Sequence, residues 1–223
     1  MSYLFETHYH TPYTSYCGSV TPAQAFPFYA QNGYSGIVIT DHYYKEWFDG
    51  CKDTSWNKKI DHWLEGYKIA RTVGRQHGMK VILGMELRFT ENANDYLVYG
   101  IDEQFLRTCP EIYKMTPAQF RVLADKHGLL FSQAHPFRSM CTPCDPKALH
   151  GVEIYNGNPR HTNQNNLAKK FAEDNNLIIT SGSDTHEKED VCRGGVFLNK
   201  NPNNSKELAE LLFTKNVGEI RIS

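Results

Sequence analysis

Two histidines one residue apart, His8 and His10, close an apolar run near the start of the chain. Alternate side chains of a strand share a face, so both imidazoles can aim at one point and chelate an ion. The same spacing recurs in Asp184-Thr185-His186. Other candidates stand at the ends of further apolar runs: Asp41-His42 after Ile37-Val38-Ile39-Thr40, Glu86 after Val81-Ile82-Leu83, His135 after the run from Leu129 to Gln133, and Glu153 in the next. Taken singly, each reads more simply as a hydrogen-bonded surface or core residue. Together they do not, because such groups near a core cost free energy unless paired or coordinated. Clustered cations would make a hydroxide held between them nucleophilic near neutral pH and stabilise charge as a phosphate ester is attacked. Nitrogen-rich mixed ligands suit Zn, Fe or Mn better than Ca or Mg.

Short β-branched or apolar runs alternate with longer helical patterns, which predicts a parallel sheet covered by helices. Strands are expected over Leu4 to His10, Gly36 to Thr40, Lys80 to Leu87, Tyr96 to Gly100, Leu129 to Gln133, Gly151 to Tyr155, Leu177 to Ser181 and Gly195 to Leu198. Thr21-Pro22-Ala23-Gln24 and Thr116-Pro117-Ala118-Gln119 each carry a capping Thr, Pro at the first helical position and a capping-box Gln. Further helices are expected over Lys59 to His77, Asn163 to Asn175 and Ser205 to Asn216, with loops from Cys51 and over Cys109 to Met115. In a parallel barrel the strands converge at their C-terminal ends, where the candidate ligands fall.

In order along the chain, His8-x-His10-Thr11, Thr40-Asp41-His42, Gly84-Met85-Glu86, Ala134-His135-Pro136 and Ser183-Asp184-Thr185-His186 resemble the motifs of the polymerase and histidinol phosphatase (PHP) domain. The resemblance implies one α/β domain over residues 1–223, a distorted seven-stranded (β/α)7 TIM-like barrel with two or three divalent metal ions at its C-terminal face. It further implies that His8, His10, Glu86 and Asp184 hold one metal, that Glu86 bridges to a second bound by His135, and that His42 and His186 hold the third. Thr14-Ser15-Tyr16-Cys17 departs from the family, leaving Cys17 or water to complete the third position. Asp102 stands where some relatives have a histidine ligand, and Glu6, where relatives often have Asp, is a candidate to orient an imidazole.

The expected activity is metal-dependent phosphoester hydrolysis of a small molecule such as a nucleotide or sugar phosphate, a phosphomonoesterase or phosphodiesterase reaction. A nuclease, or a non-catalytic metal-binding regulatory module, is the alternative. His42 or His186 could supply the acid, and Arg138 and Arg193, with Arg160 behind them, could hold phosphate oxygens. The aromatic loop from Tyr43 to Asn57, with Trp47, Phe48 and Trp56, is either a lid over the site or a patch packed on the barrel. Cys141-Thr142-Pro143-Cys144 has the spacing of a zinc or redox pair but lacks a second pair. Lys plus Arg total 24 against 25 for Asp plus Glu, which gives no overall basic excess to hold a nucleic-acid backbone. The start of the chain does not read as a secretory signal, and no membrane-spanning run is seen, so a cytoplasmic protein with six reduced cysteines is expected.

Overall fold

The strands form where β-branched and aromatic residues run between turns. The structure, a computed structural model, describes residues 2–214 and 217–222. Its strands are β1 (Tyr3–Tyr9), β2 (Tyr34–Ile39), β3 (His42–Tyr43), β4 (Lys80–Leu83), β5 (Met85–Arg88), β6 (Asp95–Tyr99), β7 (Leu130–Gln133), β8 (Gly151–Asn156), β9 (Ile178–Gly182), β10 (Gly194–Leu198) and β11 (Val217–Ile222). The helices are α1 (Pro22–Gln31), α2 (Lys45–Gly50), α3 (Trp56–Trp63), α4 (Glu65–Gln76), α5 (Glu103–Thr108), α6 (Pro117–His127), α7 (Asn165–Asn175) and α8 (Ser205–Phe213). Both predicted capping boxes are present, at Thr21 with Gln24 and at Thr116 with Gln119.

Among the described residues the strands form two sheets, ordered β11-β10-β1-β2-β4 and β3-β5-β6-β7-β8-β9. Neither sheet is wholly parallel, and a closed seven-stranded barrel is not shown. β10 runs antiparallel to β1 and β11, and β6 runs antiparallel to β5 and β7. The sheets are nonetheless continuous with each other through the chain. The predicted strand from Lys80 to Leu87 splits at Gly84, where a Cβ would stand 2.9 Å from Val38 Cγ1 and 3.3 Å from the Val98 carbonyl. β2 passes in the same way through Thr40-Asp41 into β3. On the other side Tyr9 and Thr185 form a parallel bridge, joining the end of β1 to the turn after β9.

The expected helix from Lys59 to His77 is two helices. The Thr14 hydroxyl donates to the Trp63 carbonyl at 3.0 Å and accepts from Gly66 N at 3.3 Å, entering the ladder between α3 and α4. α2 and α5 were not expected, since six residues are too few for a helical period to register. α8 ends at Phe213, and the expected end at Asn216 lies outside the described residues.

Phe5, Val38 and Ile82 of the first sheet and Leu97, Tyr99 and Leu130 of the second share one apolar core with Leu208, Ala209 and Leu212 of α8. Each buried Leu there contributes roughly 1.5–3 kcal/mol. The aromatic loop belongs to a second core and is not a lid. Trp47 and Phe48 are buried, Phe48 stacks on Trp56 at 4.8 Å, and Trp47 Nε1 donates to the Thr14 carbonyl. No helix among the described residues is long and apolar enough to cross a membrane. The six cysteines are free.

Candidate metal centre

The ends of β1, β3, β5, β7 and β9 bring seven of the predicted ligands together. Glu86 lies at the centre. Its Oε1 stands 3.1 Å from His8 Nε2 and 3.3 Å from His135 Nε2, and its Oε2 stands 2.8 Å from His42 Nδ1 and 3.4 Å from His10 Nε2. Asp184 Oδ1 is 3.4 Å from both His8 Nε2 and His10 Nε2 and 3.3 Å from His186 Nδ1. His10 and His186 stack obliquely, with ring centroids 4.3 Å apart. Donor atoms about 2.0–2.2 Å from a common ion stand about 2.9–3.6 Å apart, from octahedral to tetrahedral geometry, and most of these separations fall in that range.

The protein holds these groups rigidly. His8 Nδ1 donates to Glu153 Oε1 at 2.9 Å, which aims Nε2 at Glu86 and Asp184. The Ser15 hydroxyl lies 3.2 Å from His10 Nδ1, donates to Asp41 Oδ1 and accepts from His42 N. Asp41 also accepts from Thr11 N and Oγ1, and burial pushes its carboxyl up to about 6 despite these bonds. Glu6 binds no imidazole. Its carboxylate accepts from His8 N, Ser183 N and the Tyr29 hydroxyl, so it ties β1 to the turn after β9 by backbone, and burial raises it to about 7. Glu153, read from sequence only as part of the strand-end pattern, orients His8 instead; it also accepts from His135 N and Asn156 Nδ2.

Two ligands sit on left-handed backbone, His135 at φ 28° and Asp184 at φ 53°. Non-glycine residues adopt this region at a cost, and such outliers concentrate at functional sites. The Asp184 carbonyl is held by Asn158 Nδ2 at 3.0 Å. Close packing of β9 on β1 also needs Gly182, where a Cβ would lie 2.3 Å from His8 Cβ.

Electrostatically the cluster is a set of buried bases waiting for positive charge. Burial pulls the His8 and His42 imidazoles down, but the carboxylates of Glu153, Asp184 and Glu86 around His8, and of Glu86 beside His42, hold both well above the usual range. His135 rises to about 9 against its burial, through Cys141 and Glu86, and His186 to about 10, through Asp184 and Cys17. His10 is lowered by burial and by its neighbours His186 and His42. His8 Nε2, His10 Nε2 and Glu86 Oε1 are buried without a hydrogen-bond partner, an arrangement that costs free energy unless a cation meets them. The residues therefore fit divalent ions. Three overlapping donor groups could hold them: His8-Glu86-His135, His8-His10-Asp184 and His10-His42-His186. Beside the last group, burial of the Cys17 thiol opposes its ionisation, but hydrogen bonds with His186 and His42 bring it down to about 6.

The other expected residues are placed as follows. Asp102 is exposed at the start of α5 and caps it, accepting from Phe105 N at 2.7 Å, so it stands outside the cluster. Arg138 donates to Asp184 Oδ2 at 2.6 Å, to Asn156 Oδ1 at 3.0 Å and to Asn163 Oδ1 at 2.9 Å, through Nε and Nη2. Arg160 forms a two-pronged pair with Asp190, and Arg193 Nε donates to the Glu189 carbonyl, with its side chain lining a separate cleft beside Gln24 and Arg221. Cys141 Sγ lies 3.8 Å from His135 Nδ1, while Cys144 packs against the aromatic core, so the two do not form one site. Sequence reading passed over Asp95, whose carboxylate is within 4.8 Å of donor atoms of His42 and Glu86 and pairs with Arg88. His161, to which the sequence assigns an ordinary loop role, is close enough to Arg138, Asp184 and His135 to feel their charge. Neither stands at the end of a recognisable motif.

Residues 162–212 match the PHP-associated family. The fold is similar to a two-domain protein of Bacteroides vulgatus containing a predicted PHP-like metal-dependent phosphoesterase, with a TM-score of 0.68 at 16% identity over 100% of this chain and 65% of that one. PsfC of Pseudomonas syringae matches at 0.68 and 14% identity over 99% of this chain and 90% of that one. The lesion-specific endonuclease EndoQ of Pyrococcus furiosus matches at 0.63 and 15% identity over 100% and 58%. The chain thus spans less than two thirds of the first and last of these. No curated protein sequence matches it.

Proposed function

We propose that this chain, whose motifs and fold resemble those of the PHP family, is a hydrolase of phosphate esters that works with two or three divalent metal ions. The observation that carries the proposal is the buried convergence of five imidazoles on Glu86 and Asp184, with the Nε2 atoms of His8 and His10 left without partners. His8, His10, Glu86, His135 and Asp184 would hold the inner ions, and His42 and His186 with Cys17 the outer one. Bound there, divalent ions supply a nucleophile from water at neutral pH and neutralise charge on the ester oxygens.

The rest falls to the protein's own groups. Glu153 fixes the tautomer of His8, and Arg138 fixes the rotamer of Asp184. His42 and His186 are the ligands with appreciable exposure, 18% and 13%, against 0% for His8 and His10. A substrate would therefore reach the cluster from their side, where one of them could pass a proton to the leaving oxygen. Since Arg160 and Arg193 are engaged elsewhere and Arg138 is bonded to Asp184, the phosphate would be gripped chiefly by the ions. This favours a small phosphorylated substrate such as a nucleotide or sugar phosphate.

A second reading, cleavage of nucleic acid, has the similarity of fold to EndoQ in its favour. The test is metal content by mass spectrometry, paired with phosphate release from monoesters and diesters and nicking of DNA in added Mn, Fe or Zn. Turnover of small esters with two or more ions per chain is the expected result. Salt-sensitive DNA cleavage would select the nuclease. Bound metal with no turnover of any ester would overturn both in favour of a binding role.

A further inference from the structure

A second set of metal-ligating side chains lies outside the candidate centre. Cys51 ends α2, Asp53 follows in the loop before α3, and His62 comes from the last turn of α3. Cys51 Sγ is 3.6 Å from His62 Nδ1 and 3.8 Å from Asp53 Oδ2, and His62 Nδ1 is 3.9 Å from the same Asp53 oxygen. Three donors held about 2.0–2.3 Å from a zinc ion in tetrahedral geometry stand about 3.4–3.6 Å apart, so a closure of a few tenths of an ångström would complete the triangle. The donors are chemically mixed, one thiol, one imidazole and one carboxylate.

We propose that Cys51, Asp53 and His62 form a separate zinc site, with water in the fourth position. Thiolate, imidazole and carboxylate together select zinc over magnesium or calcium, and the thiol releases its proton to solvent on binding. The site opens on a cleft of about 490 Å³ walled by Tyr16 and Tyr44. Tyr16 precedes Cys17, whose thiol bonds His42 and His186, and the Tyr44 ring is 6.0 Å from that of His42. Zinc would therefore clip the 51–55 loop to α3 and stiffen the wall on the exposed side of the main centre. The proposal does not depend on ester hydrolysis.

The full chain, stripped with chelator and reloaded with cobalt or zinc, provides the test. Cobalt should give thiolate-to-metal absorption in the near ultraviolet that is reduced in Cys51→Ser, and a part of it should persist in Cys17→Ser, where Cys51 is the thiolate that remains. Zinc content should fall by about one ion per chain in Cys51→Ser. Asp53→Asn, a change at a half-exposed loop residue that spares the fold, should weaken binding of that zinc by about tenfold or more in competition with a chelating dye. Unchanged absorption and zinc content in Cys51→Ser, or unchanged affinity in Asp53→Asn, would overturn the proposal.

Discussion

At the scale of single residues, the groups that position ligands are as informative as the ligands. Arg138 shows a contact that sequence alone does not reveal. Its place just after His135-Pro136 suggests a phosphate contact, and its guanidinium also donates to Asp184, Asn156 and Asn163. Replacing it with Ala should thus lower metal affinity about 10- to 100-fold, as losses around a metal-binding carboxylate do, with activity restored by excess metal. Metal retained with KM alone raised would return Arg138 to the phosphate. Glu153→Gln makes the complementary test, since an amide cannot accept from His8 Nδ1, His135 N and Asn156 Nδ2 with the same charge. Isothermal titration with Mn or Zn should detect a loss of about the same size, and an unchanged affinity would remove Glu153 from the site. The ligands were legible because His8-x-His10 and Asp184-x-His186 follow a strand's alternation. Glu153 acts through a contact 145 residues away, and Ser15 through contacts 26 and 27 residues away, which have no local signature.

At the scale of elements, the long apolar runs and capped helices were readable, and what escaped was where the chain bends. The turns at Gly84 and Leu64 depend on contacts with Val38, Val98 and Thr14, which lie far off in sequence. So does the approach of β9 to β1. Gly182 brings two ligand-bearing elements within contact, and the added methyl of Gly182→Ala would meet His8 Cβ at 2.3 Å and His8 N at 2.9 Å. Backbone rather than a flexible side chain must give way, so the cost should be about 1–3 kcal/mol, the usual range for overpacking a core. Urea denaturation would measure it. Because the displaced residue is His8 itself, metal affinity should fall along with stability. A variant with wild-type stability would mean that the two strands are not held this close.

At the scale of the whole molecule, the centre couples the fold to protons and metal ions in opposite senses. Without metal, His135 and His186 titrate near 9 and 10, above the 6.5 of an unfolded imidazole. A raised histidine stabilises the fold fully below its unfolded value and loses that contribution as pH climbs through the folded one. The metal-free protein should therefore lose stability between about pH 7 and pH 10 as these protons leave and the charges of Glu86 and Asp184 go unmet. A metal ion needs the same nitrogens deprotonated, so it competes with protons at low pH and replaces them at high pH. Metal at about 100 times its Kd adds roughly 2.7 kcal/mol to a folded state it alone binds, and the apparent Kd falls as pH rises. The difference in Tm between loaded and chelated protein should accordingly be small at about pH 6 and should widen steadily toward about pH 9, with protons released on binding. Thermal denaturation across that range, with titration in buffers of different ionisation enthalpy, checks both halves. A difference in Tm that stays flat or narrows as pH rises would mean that the ion does not displace protons from this cluster, and that the imidazoles around Glu86 and Asp184 do not bind it.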